Sequence, residues 1–166
     1  MNKNKPLKRI DVLAKFSREH HHGLLLVWKV RFGIKNDILP CRIANYILFF
    51  FEQVLQPHFF SEETNVFPLL IANDTLRIRA ENEHALIRGL IDKIRLEKTN
   101  LKLAEEFAQV LDSHIRFEER ELFDHIQTTI PEELIVNVSI NVHSDNHAEE
   151  KTWADRFWLK SNDNFY

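Results

Sequence analysis

Glycine and proline are scarce in this chain, with three Gly and five Pro among 166 residues. Sandwiches and barrels built from many short strands use both at their frequent reversals, so this composition argues against them. Cysteine occurs once, as Cys41, which excludes an internal disulfide framework and fits a reducing compartment. Basic residues are not in excess: 22 Lys and Arg face 25 Asp and Glu, and a formal net charge of −3 gives no broad electrostatic reason to expect nucleic acid as a partner. The one basic cluster, Lys3, Lys5, Lys8 and Arg9, reads as a solvated N-terminal tail.

Long apolar runs are also missing. The most apolar stretch, residues 47–51 followed by Val54 and Leu55, is interrupted by Glu52 and Gln53 and falls far short of the roughly 20 residues that span a bilayer. It reads as a core segment. The polar, Lys-rich N-terminus has neither the apolar stretch nor the small-residue cleavage site of a secretory signal. The expectation is a cytoplasmic, single-domain protein over residues 1–166 with no membrane and no nucleic-acid partner. Nothing in the sequence sets an oligomeric state.

What is abundant is Leu, Ile, Phe, Glu and Lys, the composition of long amphipathic helices joined by short links. A first helix is expected from about residue 10 to 32, with Leu13, Phe16, Leu24, Leu25 and Trp28 on its apolar stripe and Gly33 as its stop. Pro40 suits the first turn of a second helix, which carries Ile47, Phe50, Phe51, Val54, His58 and Glu62 and ends near Pro68. Pro57 lies inside it and removes one backbone hydrogen bond, so a kink is expected over residues 53–57. Asn73 or Asp74 can cap a third helix carrying His84, Ile87, Ile91 and Ile94. After a turn at Thr99 or Asn100, a fourth carries Leu103, Phe107, Val110, His114, Glu118 and Leu122 and frays before Pro131. These elements predict an all-α, up-down-up-down four-helix bundle with its core at about residues 10–126. The extension over 131–166 is expected to hold a short fifth helix around 132–147 and an aromatic tail, with Trp153, Phe157 and Trp158 docked on the bundle.

Chemistry enters through a repeat. His58-Phe-Phe-Ser-Glu62-Glu63-Thr-Asn-Val-Phe67 returns 56 positions later as His114-Ile-Arg-Phe-Glu118-Glu119-Arg-Glu-Leu-Phe123. Each copy sets an imidazole and a carboxylate four residues apart, on one face of a helix and one turn from each other. The match extends backward, since Ile47, Phe51 and Val54 precede His58 at the offsets of Leu103, Phe107 and Val110 before His114. The second and fourth helices are therefore related in pattern, and an approximate twofold axis is expected.

The first and third helices can add one His each. The third offers His84; the first offers His20, His21 and His22, and the spacing to Leu24, Leu25 and Trp28 ranks His21 first, then His20, then His22. Four His and two Glu pointing into one core are what two first-row metal ions require when two carboxylates bridge them. Each ion would take two His nitrogens and share oxygens of Glu62 and Glu118, leaving room for a bridging oxide or hydroxide and an open position. Imidazole with carboxylate suits iron; manganese or zinc is also compatible. Two buried carboxylates without a counter-ion would be prohibitively costly, and a dinuclear cation removes that penalty. Glu63 and Glu119 read as outer or solvent-facing groups, and Glu81 and Glu83 as residues able to orient the imidazoles. His125 falls three turns beyond His114, outside ligand reach. His143 and His147, spaced four apart, read as surface residues.

Through Arg18-Glu19-His20-His21-His22-Gly23-Leu24, Pro57-His58-Phe59-x-x-Glu62-Glu63-x-x-x-Phe67-Pro68, Glu83-His84 and His114-x-x-x-Glu118-Glu119, the chain resembles the hemerythrin-like, or HHE cation-binding, domains over roughly residues 10–126. Its tail resembles the end of bacterial single-domain members. The resemblance implies a four-helix bundle with a non-haem di-iron centre bridged by Glu62 and Glu118. Oxygen-carrying hemerythrins have a further His one turn after the His of the third helix, where this chain has Arg88. The six-donor set looks more like the family's iron-, oxygen- or nitric-oxide-responsive members. The expected function is binding or sensing of dioxygen, nitric oxide or a related oxidant, or iron handling. The alternative is an enzyme acting on peroxide or nitric oxide, or in iron–sulfur repair.

Overall fold

The structure is a computed structural model, described over residues 8–138 and 152–159. Among these residues the regular structure is entirely helical: α1 (Asp11–Lys35), α2 (Pro40–Phe50), α3 (Gln56–Ser61), α4 (Thr75–Leu96), α5 (Leu101–Phe117), α6 (Phe123–Thr129) and the short α7 (Glu132–Val136). α2 and α3 belong to one rod over residues 40–66, and α5 and α6 to another over 101–129, because the segments between them are helical turns of wider pitch. With α1 and α4 these rods make the expected four-helix bundle, in which each helix packs on its two sequence neighbours and α1 closes the ring against α5.

Local chemistry explains the boundaries. Pro40 stands in the first turn of α2, where no amide hydrogen is needed. Asp74 caps α4 by accepting from the amides of Leu76 and Arg77, and Asn100 caps α5 by accepting from Lys102. The rod passes Pro57 without breaking: residues Phe51–Leu55 form a π-helical turn in which the Gln56 amide donates to the Phe51 carbonyl, so the missing Pro57 donor falls where the ladder is already rearranged.

Three expectations need correction. Gly33 does not end α1, which continues to Lys35; a Cβ there would lie 2.9 Å from Ile43 Cδ1 and 3.0 Å from Phe157 Cε2, so its role is close packing. The apolar stripe of α1 runs through Leu13, Phe16, Leu26, Val27 and Val30, whereas Trp28 is 52% exposed and rests against Phe32 on the outside. The fifth helix is seen only as Glu132–Val136, and most of its expected extent, with His143 and His147, lies outside the described residues.

The aromatic tail docks as expected. Trp153, Phe157 and Trp158 surround Tyr46 at ring separations of 4.5–5.9 Å, and Arg42 pairs with Asp155. Lys29 is buried beneath them, its Nζ 3.0 Å from Tyr46 Oη and 4.1 Å from the Trp158 ring centre. Burial lowers the Lys29 ammonium to about 8, with the Arg156 charge acting in the same direction.

The apolar interior is in two parts. One cluster contains Val30, Ile47, Phe51, Ile91 and Phe107; the other contains Leu13, Phe16, Phe67, Leu122 and Phe123. Between them lies a layer of buried polar side chains.

Candidate metal centre

That layer consists of His20, His58, Glu62, His84, His114 and Glu118, each at most 5% exposed. His20 comes from α1 and His84 from α4, while the two rods supply His58 with Glu62 and His114 with Glu118. The five candidate positions with a single reading, and His20 from the alternatives on α1, therefore meet in one place. His21, ranked first from the sequence, is exposed, and His22 is half-buried on the flank. The reason is register: the stripe set by Leu13 and Phe16 continues to His20 and Gly23, and Trp28 marks the outer face. α1 can approach α5 closely because position 23 is Gly; a Cβ there would come within 2.7 Å of Ile115 Cδ1.

Two groups of donors stand side by side. His20, His58, Glu62 and Glu118 bring one ligand atom each within 4.8 Å of one another, and so do Glu62, His84, His114 and Glu118. Both carboxylates belong to both groups. Glu62 Oε1 faces His58 Nε2 at 3.3 Å while its Oε2 faces His84 Nε2 at 3.4 Å, so its two oxygens point to opposite sides of the centre. Glu118 Oε2 lies 3.0 Å from His20 Nε2 and 3.4 Å from His114 Nε2.

Each imidazole is oriented from behind by a second carboxylate. His20 Nδ1 donates to Glu119 at 2.7 Å, His58 Nδ1 to Glu19 at 2.6 Å, His84 Nδ1 to Glu63 at 2.8 Å and His114 Nδ1 to Glu83 at 2.9 Å. These bonds place the Nδ1 proton outward and turn Nε2 inward. The pattern is symmetric: the Glu before His20 serves His58 and the Glu before His84 serves His114, while the Glu after Glu62 serves His84 and the Glu after Glu118 serves His20. Glu63 and Glu119 thus touch the imidazoles. Glu81 does not; it pairs with Arg77. His125 pairs with Asp74 at 2.8 Å, away from the centre. Glu19 carried no assigned role in the sequence, although the Glu-His pair at 83–84 recurs at 19–20 and would have revealed it.

A π-helical turn begins at each inner carboxylate, in Glu62–Val66 and Glu118–Leu122, with the Phe67 amide donating to the Glu62 carbonyl and the Phe123 amide to that of Glu118. The wider turn carries the residue five positions on back to the side of the carboxylate. There Phe67 packs on His84 with ring centres 5.3 Å apart, and Phe123 stacks on His20 at 5.5 Å. This explains why the sequence repeat ends in Phe.

The electrostatics call for positive charge. Both oxygens of Glu62, both of Glu118 and Nε2 of His20 are buried and accept or donate no hydrogen bond. His84 Nε2 and His114 Nε2 face each other at 3.1 Å and can share at most one proton between them. Burial pushes the His58 imidazole down, but Glu62 and the Glu19 hydrogen bond outweigh it and lift the group to about 9. Against burial, His20 is raised by Glu118, Glu119 and Glu62, and His84 by Glu62, Glu63 and Glu118. Glu62 is held well below its ordinary range, against burial, by His58, His20 and His84. Glu63 is lowered to about 2, against burial, by His84 and Arg88. With no Lys or Arg among the six, a metal cation answers both the orphaned oxygens and the inward nitrogens, and imidazole nitrogen with shared carboxylate oxygen is a donor set that first-row ions accept.

Residues 19–126 match the family described as the hemerythrin HHE cation binding domain. The chain belongs to this family. No curated protein and no solved structure matches it. The matched span of this hemerythrin-like chain starts at Glu19 and so takes in all six inner residues and all four outer carboxylates, whereas Arg9, which bonds Glu119, and the docked aromatic tail lie outside it. None of its described helices is long and apolar enough to cross a membrane. Arg88, one turn after His84, donates to Glu63 through both terminal nitrogens, at 2.8 and 3.1 Å. It acts on the centre through His84.

Proposed function

We propose that this hemerythrin-like chain holds two iron ions between His20, His58, Glu62, His84, His114 and Glu118, and that it binds dioxygen, nitric oxide or a related small oxidant there. The observation that carries the reading is the pair of orphaned, buried carboxylates common to both donor groups. Glu62 and Glu118, with His20, His58, His84 and His114, would hold the ions, and six protein donors shared between two iron ions would leave positions for a small exogenous ligand and supply a redox-active metal there. The chain's own residues orient the imidazoles through Glu19, Glu63, Glu83 and Glu119 and keep the surroundings apolar with Phe16, Phe59, Phe67 and Phe123. Cys41 is exposed and is the only thiol, so the chain carries no dithiol relay of its own.

Metal analysis with an optical spectrum, recorded anaerobically and then after air or nitric oxide, tests the proposal. Two irons per chain and a ligand-to-iron charge-transfer band that changes on exposure are expected. Protein that takes up no iron, or whose iron spectrum is indifferent to both gases, overturns it. Multiple turnovers in peroxide or nitric oxide assays would replace binding with catalysis.

A further inference from the structure

The six inner residues are arranged with near-twofold symmetry, and so are the four outer carboxylates. The cations behind those carboxylates are not. Glu63 receives two hydrogen bonds from Arg88, and Glu83 receives one from Arg79 Nε at 2.8 Å. Glu119 has Arg9, whose guanidinium lies 2.6 Å from its backbone oxygen and 3.4 Å from its carboxylate. Glu19 bonds only His58 and has no cationic partner among the described residues. The sequence shows why: Arg79 stands five residues before His84, and the equivalent residue before His20 is Lys15, exposed and forming no ion pair with Glu19; Arg88 stands four after His84, and the equivalent is Leu24. Solvent does not even out the difference, since Glu19 and Glu83 are similarly accessible, at 19% and 22%.

We propose that the two metal positions are inequivalent, and that the one between His20 and His58 is the tighter and fills first, because the carboxylate behind His58 keeps its full charge. A carboxylate that accepts from a ligating imidazole raises that ligand's basicity. A guanidinium on the same carboxylate draws charge away from it and weakens the effect. The His84 and His114 side carries two such clamps at full hydrogen-bond length, whereas the His20 and His58 side carries one long contact. Arg79 and Arg88 are thus positioning residues that act on the centre through Glu83 and Glu63. The inference rests on the dinuclear reading above.

Repulsion between two bound cations separates the binding steps in any such centre, so the order of filling is the readout. Metal-free protein is titrated anaerobically with Co(II), with the d–d absorption bands and heat followed together. Glu19→Gln, which keeps the shape and removes the charge, is expected to weaken the first step about tenfold. Glu83→Gln is expected to leave the first step unchanged and weaken only the second. Arg79→Gln keeps all six inner residues and all four outer carboxylates, and it is expected to tighten the second step several-fold; it decides the matter if either carboxylate variant does not fold. Equal effects of Glu19→Gln and Glu83→Gln on both steps, or an unmoved second step in Arg79→Gln, overturn the inequivalence and leave the dinuclear site standing. Wild-type protein that binds no Co(II) overturns the metal reading, and this inference with it.

Discussion

His20 and His21 are neighbours in the chain with opposite fates. His20 is 3% exposed and sits between Glu62, Glu118 and Glu119, whereas His21 points to solvent. His20→Ala is therefore expected to lose metal and His21→Ala to keep the full complement, as measured by metal content of protein purified under identical loading. Removing either inner carboxylate strips an oxygen donor from both donor groups at once. Glu62→Ala and Glu118→Ala are each expected to reduce bound iron from two ions toward none, a larger loss than any single His substitution; unchanged content would show that the two are not shared. The donors on the rods and on α4 were legible in the sequence because each has one reading: the doubled His-x-x-x-Glu allows no register choice, and α4 offers only His84. The donor on α1 was not, because three consecutive His sample three faces and the large apolar Trp28 drew the stripe outward.

Glycine separates two kinds of helical element. At Gly23 the α1 backbone passes so close to Ile115 that a methyl group would overlap it, whereas nothing lies within 4 Å of a Cβ at Gly89 on α4. Gly23→Ala is expected to cost about 1–3 kcal/mol through overpacking, and Gly89→Ala to stabilise by roughly 0.5–1 kcal/mol through helix propensity, both read by urea denaturation. Ile115→Val removes the clashing Cδ1 and should recover part of the Gly23→Ala loss in a double-mutant cycle. Asp74 is the start signal of α4 and holds His125 as well. Burial raises its carboxyl, but the Arg77 and Leu76 amides and His125 hold it below the ordinary 3.8. A lowered acid stabilises the fold above its unfolded value and loses that contribution as pH falls through the lower folded one. Asp74→Ala should cost about 1 kcal/mol at neutral pH, and the gap to wild type should close progressively below about pH 4 in acid titrations of stability. The caps were readable in sequence as Asp or Asn before an apolar period. The three π-helical turns were not, because apart from Pro57 nothing in local propensity distinguishes them from α-helix; at Glu62 and Glu118 they answer to the packing of Phe67 and Phe123 on the facing imidazoles.

At the scale of the molecule, a layer of buried His and Glu side chains divides two apolar cores, so much of the contact among the four helices across their middle is between polar groups. Metal binding should accordingly act as a fold-wide clamp. Chelation is expected to lower the melting temperature by about 5–10 °C relative to protein held at a hundredfold excess of metal over Kd, followed by circular dichroism. The tail adds a separate closure at the far end, where Phe157 is 6% exposed against Gly33, Ile43 and Tyr46; Phe157→Ala should destabilise by about 3 kcal/mol without changing the order in which the metal positions fill. Helical class, four-helix topology, the twofold relation of the rods and five of the inner donors follow from periodicity and from a repeat along the chain, because a helix turns spacing into a common face whatever surrounds it. Which His of α1 points inward, how Glu19, Glu63, Glu83 and Glu119 cross over to imidazoles on neighbouring helices, and where the guanidinium of Arg88 comes to rest were decided only by the tertiary structure. Those contacts join residues 21 to 99 positions apart or depend on the rotation of one helix against another, and no local pattern encodes that rotation.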